Sequence, residues 1–129
     1  MLKVAIIGTG VMGVTHARAV YDSEIMEVVA FVGREPVKTK QIAKRFSVSA
    51  YTDMEEMLRS ESIDIVDVCT PTLLHEDAVK VAVNYKKHIM CEKPFTLSHK
   101  SAQELSELID ASGVKAMVLQ VTRFWPEYV

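Results

Sequence analysis

The chain has 129 residues, 15 of them basic and 17 acidic, giving a formal net charge of -2, and 49% of its side chains are hydrophobic. That length suits one domain burying about two thirds of the surface of the unfolded chain, and leaves no room for a second. The near balance of charge argues against nucleic acid or a membrane surface as the main partner; with no span as long as a membrane helix and no leader-like start, a cytoplasmic location is expected.

The first element is an apolar run of strand length, Lys3 to Ile7, followed at once by Gly8-Thr9-Gly10-Val11-Met12-Gly13 and then by a helical pattern over Val11 to Tyr21. Strand, G-x-G-x-x-G turn and helix in that order predict a dinucleotide-binding turn. Gly8 turns the backbone where a side chain would obstruct it, and Gly10 lets the main chain approach a pyrophosphate. Gly13 lets the helix lie close to the strand, so that the N–H groups of its first turn, at Val11, Met12 and Gly13, face the phosphates. Such a loop binds an anion with backbone rather than charge.

A second strand is expected at Val28 to Val32, continuing into Gly33 and Arg34. In dinucleotide folds an acid about twenty residues after the glycines accepts hydrogen bonds from the adenosine ribose. Here Gly33 stands in that place and a guanidinium follows, which suits a 2'-phosphate and favours NADP over NAD. Glu35 pulls the other way, since turned inward in place of Arg34 it selects NAD, and a merely solvated Arg34 is the third option. A helix from Pro36 to Phe46, a short strand Ser49 to Tyr51, a helix Asp53 to Arg59 and a buried strand Ile63 to Cys69 come next.

Beyond that strand, Pro71 in Thr70-Pro71-Thr72 interrupts the ladder and bends the chain over the sheet crest toward the cofactor, where the threonines offer hydroxyls. His75 opens a helix running from Leu74 to Tyr85. It is carried as a cofactor contact, with packing or capping weighing more than general-base chemistry for it and for His16 on the first helix. The fifth strand, His88 to Cys91, ends on Glu92-Lys93-Pro94 at the nicotinamide end of the cleft. Lys93 there can donate to a substrate hydroxyl or carbonyl, and Glu92 can fix its position or bond the ribose; an ordinary surface ion pair is the alternative. A helix over Ser98 to Ala111 follows, capped by Ser98, striped by Ala102, Leu105, Leu108 and Ile109 and closed by Gly113, before a last strand Lys115 to Val121. Cys69 and Cys91, at strand ends, read as small buried residues rather than nucleophiles, and no metal set is expected.

Strands alternating with helices, with apolar runs covered on both faces, predict one α/β domain with a doubly wound parallel sheet, the Rossmann fold, in strand order 3-2-1-4-5-6. The glycine loop, Thr70-Pro71 with His75, Glu92-Lys93-Pro94 and Arg123-Phe124-Trp125-Pro126 in this order resemble the Gfo/Idh/MocA oxidoreductases, the glucose-fructose oxidoreductase and inositol dehydrogenase relatives, over essentially the entire chain. The resemblance implies an NAD(P)-dependent dehydrogenase or reductase that transfers hydride to or from a sugar, cyclitol or related polyol. It makes Lys93 the catalytic lysine and Gly8, Gly10 and Gly13 the cofactor loop. It also implies a second domain that binds the substrate and supplies a catalytic histidine. Residues 1–121 are then the NAD(P)-binding domain, residues 122–129 start the crossover to that domain, and the isolated chain is expected to be inactive. A non-catalytic NAD(P)-binding sensor or partner subunit is the alternative, and Phe124, Trp125 and Tyr128 offer a surface for a homo-oligomer.

Overall fold

In the first strand, β1 (Leu2–Ile7), alternate side chains feed two cores. Val4 and Ile6 pack with Ala17, Val20, Phe31 and Ile42 on one face, and Ala5 and Ile7 with Val66, Val79 and Ala82 on the other. The computed structural model describes residues 1–128. Its parallel sheet adds β2 (Met26–Val32), β3 (Ser49–Tyr51), β4 (Ile65–Val68), β5 (His88–Glu92) and β6 (Ala116–Leu119) to β1, in the order β3-β2-β1-β4-β5-β6. That is the expected doubly wound order. Helices α1 (Val11–Tyr21) and α2 (Pro36–Phe46) cover the Val4–Ile6 face. On the opposite face lie α3 (Met54–Ser60), α4 (His75–Asn84) and α5 (His99–Ser112), which contribute Met57, Val79 and Leu105 to the larger core.

Local chemistry sets the boundaries. The Asp53 side chain accepts the Glu56 N–H and starts α3, and Ser98 accepts the Ser101 N–H and starts α5. Gly113, at φ 76°, ends α5 in the left-handed conformation. Of the expected stripe on α5, Leu105 and Ile109 are buried while Leu108 stays at the rim.

β1 and β5 each run one residue longer than expected, and three strands differ by more. β2 begins at Met26 rather than Val28, because Leu2 and Lys3 of β1 pair with Met26 and Glu27. β4 is shorter than Ile63 to Cys69, although Ile63 is core and the Cys69 N–H still bonds Ile7 O. β6 stops at Leu119, paired with Glu92, the last residue of β5. Past Glu92 the partner strand runs into Pro94, which has no N–H to extend the ladder. Val121–Phe124 and Pro126–Tyr128 then form 3-10 turns, and Phe124, Tyr128 and the intervening Trp125 are exposed. Val129, assigned above to the crossover, lies outside the described residues. Among the described residues no helix is long and apolar enough to cross a membrane.

Candidate functional site

The carboxyl ends of β1, β2 and β4 enclose a cleft of about 660 Å3 lined by Gly8, Gly10, Gly33, Arg34, Thr70 and Pro71. Its glycine loop is shaped by close contacts that a side chain would break. Gly8 has φ 120°, and a Cβ there would lie 2.6 Å from the Cys69 carbonyl oxygen. A Cβ on Gly13 would strike the Gly8 carbonyl oxygen, so Gly13 is where α1 meets the loop. Gly10 differs, since nothing lies within 4 Å of its Cβ position. It is also the N-cap of α1, and no side chain caps that helix. The N–H groups of the first turn, carried by Val11, Met12 and Gly13, are therefore left to solvent or an anion, although the side chains of Val11 and Met12 point out and are exposed.

At the end of β2, a Cβ on Gly33 would come 2.5 Å from Thr39 Oγ1 and 2.6 Å from Thr9 Cγ2. A side chain at position 33 would therefore have to displace those of Thr39 and Thr9. Arg34, Glu35 and Lys38 all line this end of the cleft, with Lys38 Nζ 3.5 Å from Glu35 Oε1. Lys38 was not singled out from the sequence, although it sits one helical turn beyond Arg34. Across the cleft, Met54 of α3, Ala78 and Val81 of α4, and Leu74 just before α4 add apolar surface. The Thr70 hydroxyl oxygen is buried with no hydrogen-bond partner. Thr72 opens the short 3-10 turn, Thr72–Leu74, that leads into α4.

His75 does not offer a nitrogen to the cleft, contrary to its assignment as a cofactor contact. Its side chain is buried, with Nε2 2.8 Å from Thr70 O and Nδ1 3.0 Å from Pro94 O. Both ring nitrogens face main-chain carbonyls, one of which accepts the N–H of the neutral ring, so the residue packs between the loop after β4 and the loop after β5.

Those two loops flank a second group of polar residues. Asp67 and Cys69, two apart on one chain segment, project to the same side of the sheet, and the pairing of Val68 with Cys91 brings Glu92 level with Cys69. His16 of α1 meets them from above. Its Nδ1 lies 2.9 Å from Asp67 Oδ2 and 3.1 Å from Cys69 Sγ, and its Nε2 lies 3.1 Å from Glu92 Oε1. The hydrogen bond to Asp67, opposed by burial and reinforced by the charges of Asp67 and Glu92, raises the His16 pKa. Burial foremost, then Asp67, pushes the Cys69 thiol far up, and burial pushes that of Cys91 up to about 12. Neither thiol is a ready nucleophile.

His16, Asp67 and Cys69 bring potential metal-binding atoms within 4.8 Å of one another. They stand at hydrogen-bond separations with the thiol protonated, so the group is accounted for by its own hydrogen bonds. Sequence reasoning discounted His16 and passed over Asp67. The available signal was a carboxylate in the apolar run Ile65-Val66-Asp67-Val68, since a fully buried charge demands a partner. Glu92 Oε2 also accepts the Lys93 N–H at 3.1 Å, while the Lys93 side chain is exposed at the crest.

Comparison with known proteins gives a match over residues 2–120 to the GFO_IDH_MocA model, described as an oxidoreductase family with an NAD-binding Rossmann fold. The NADP+-dependent scyllo-inositol 2-dehydrogenase of Bacillus subtilis is 30% identical over 129 residues, covering 99% of this chain and 39% of that protein. The NAD+-dependent scyllo-inositol 2-dehydrogenase of the same organism is 32% identical over 130 residues, covering 98% and 38%. Among solved structures, an Agrobacterium radiobacter oxidoreductase in complex with NAD+, L-tartaric acid and magnesium superposes with a TM-score of 0.90 at 27% identity, over 95% of this chain and 36% of that one. A putative myo-inositol dehydrogenase from Sinorhizobium meliloti gives 0.90 at 27% identity, over 98% and 38%. The chain spans less than two fifths of the length of each of these proteins.

Proposed function

The chain belongs to the Gfo/Idh/MocA oxidoreductase family, and from that premise we propose that its cleft receives a nicotinamide dinucleotide, making these residues the cofactor-binding part of an NAD(P)-dependent oxidoreductase of sugars, cyclitols or related polyols. The carrying observation is the pairing of an uncapped helix N-terminus with open space at Gly10. A pyrophosphate fits both: the free N–H groups and the helix dipole hold it, and Gly10 leaves room for its approach. The unpartnered Thr70 hydroxyl gives a bound dinucleotide one more hydrogen-bonding group. When bound, the nicotinamide supplies hydride transfer. The Lys93 ammonium, exposed beyond β5, donates a hydrogen bond to a substrate hydroxyl or carbonyl oxygen and steadies negative charge developing there.

We read the preference as NADP, because Arg34 and Lys38 line the cleft where Gly33 stands in place of an acid. Glu35 lines the same end and supports the NAD reading, though its carboxylate is already engaged by Lys38. Two free, buried cysteines suit a reducing cytoplasm. Alone, the chain is expected to bind dinucleotide without turning over a polyol, because His16 and His75, the histidines packed around the segment that carries Lys93, are both held in hydrogen bonds of their own. Calorimetric titration with NADPH and with NADH tests this. Saturable one-to-one binding is expected; no binding of either, by a folded chain, overturns it.

A further inference from the structure

The polar group under the crest has a continuity that the cleft does not use. Asp67, fully buried on β4, holds His16 Nδ1; His16 Nε2 holds one oxygen of Glu92; and the other oxygen of Glu92 accepts the Lys93 N–H. Four residues from α1, β4 and the end of β5 thus form a single line of contacts, at 2.9, 3.1 and 3.1 Å, running from the sheet interior to the backbone of Lys93. We propose that His16 is a positioning residue, which anchors the Glu92 carboxylate to Asp67 and thereby fixes the direction in which Lys93 leaves the crest.

Three considerations carry this. The first is need: Glu92 is the last residue of β5 and Pro94 ends the ladder, so past Glu92 the sheet's own hydrogen bonds no longer orient the main chain. Next, an imidazole between two carboxylates donates from both nitrogens when it is protonated, and two charge-assisted hydrogen bonds hold a side chain better than neutral ones. The raised His16 pKa agrees with that state. Finally, the anchor is rigid, since Asp67 is fully buried in a central strand and His16 lies one turn beyond Gly13, where α1 is pressed against the glycine loop. The same helix whose N-terminus meets the phosphates therefore carries the residue that holds Glu92. Cys69 completes the setting, its sulfur 3.5 Å from Asp67 Oδ1 and 3.1 Å from His16 Nδ1.

This assignment rests on the reading of Lys93 as the polar group that meets substrate, but its test does not require turnover. In the 15N-labelled chain, amide hydrogen exchange at Lys93 is compared with exchange at Val66 and Val68 of β4, in the wild type and in His16→Gln. Loss of the anchor is expected to speed exchange at Lys93 by about tenfold or more, the scale of a lost hydrogen bond to a charged group, while the β4 amides keep their protection. Long-range 1H–15N spectra in mild acid are expected to show both wild-type His16 ring nitrogens protonated, the state in which the ring donates to both carboxylates. Should His16→Gln fail to fold, Glu92→Gln probes the other end of the bridge and is expected to move the His16 ring resonances and to speed Lys93 exchange. Unchanged Lys93 exchange in a folded variant overturns the assignment, as does an equal rise at Lys93, Val66 and Val68, which would mean a role in overall stability only. Dinucleotide binding is measured on the same samples. Its absence from the wild type overturns the proposed function and leaves the exchange comparison readable.

Discussion

Gly10→Ala and Gly13→Ala, three residues apart in one loop, are expected to fail in opposite ways. At position 13 the added methyl meets the Gly8 carbonyl oxygen, main chain that cannot rotate aside, with Ile6 Cγ2 3.4 Å away on the strand side. Overpacking of this kind costs about 1–3 kcal/mol, and the backbone clash argues for the upper end. Alanine's better helix propensity returns about 1 kcal/mol. The net loss is about 2 kcal/mol, or about 8 °C in Tm for a domain of this size. At position 10 the methyl enters open space, and only a weaker N-cap is lost, for about 0.5 kcal/mol and about 2 °C. Ligand reverses the ranking of interest. A dinucleotide at a hundred times its Kd stabilises the wild type by about 2.7 kcal/mol, or about 10 °C. In Gly10→Ala the methyl stands where the pyrophosphate approaches, so most of that shift disappears. Thermal unfolding with and without NADPH reads both effects. A Gly10→Ala chain that keeps the full ligand shift refutes the placement of the phosphates, and a Gly13→Ala chain as stable as the wild type refutes the packing argument.

Arg34→Ala is expected to weaken NADPH by about tenfold or more, the worth of a charge-assisted hydrogen bond, while leaving NADH nearly unchanged; equal losses for both cofactors in calorimetry would remove Arg34 from the 2'-phosphate. Lys38→Ala is expected to act in the same direction more weakly, because its ammonium is shared with Glu35. His75→Phe keeps a ring but leaves one buried main-chain carbonyl, of Thr70 or Pro94, without its donor, and a loss of about 1–3 kcal/mol in urea unfolding is expected. A midpoint matching the wild type would deny His75 its bracing role. For His16 the folded pKa is raised, so its contribution to stability is complete below the unfolded value of about 6.5 and is lost as pH rises through the folded value. The Tm advantage of the wild type over His16→Gln should accordingly be largest in mild acid and shrink above neutrality; a gap that widens with pH contradicts the sign.

The parts of the site that were legible in the sequence are those in which backbone geometry dictates residue type locally. Gly13 is glycine because α1 folds back onto the Gly8 carbonyl, and Gly8 because its φ of 120° suits no other residue, requirements written in six consecutive residues even though the contact of Gly8 with Cys69 is long-range. Strand order followed from alternation and crossover handedness, and the two ends of α5 from the cap Ser98 and from Gly113. Strand ends were less legible, since they depend on how far the neighbouring strand runs: Val121 lost its place in β6 because β5 had already ended. His75 misled because proximity to a motif in the chain says nothing of which side of a loop a ring turns to.

The relay from Asp67 to Lys93 was hidden for a different reason. Its members lie 51 and 76 residues apart, and nothing local marks them as partners. They meet because parity puts Asp67, Cys69 and Glu92 on the face that α1 covers, and because α1 must pack tightly at Gly13 to present its N-terminus to a phosphate. Moving β4 by one residue against β5 would turn Asp67 into the opposite, apolar core, at the cost of an unpaired buried carboxylate. The buried acid therefore penalises the wrong register as well as anchoring His16. Sheet register and the direction of Lys93 are on this account one constraint, which is why a carboxylate stands in a strand otherwise built of Val and Ile.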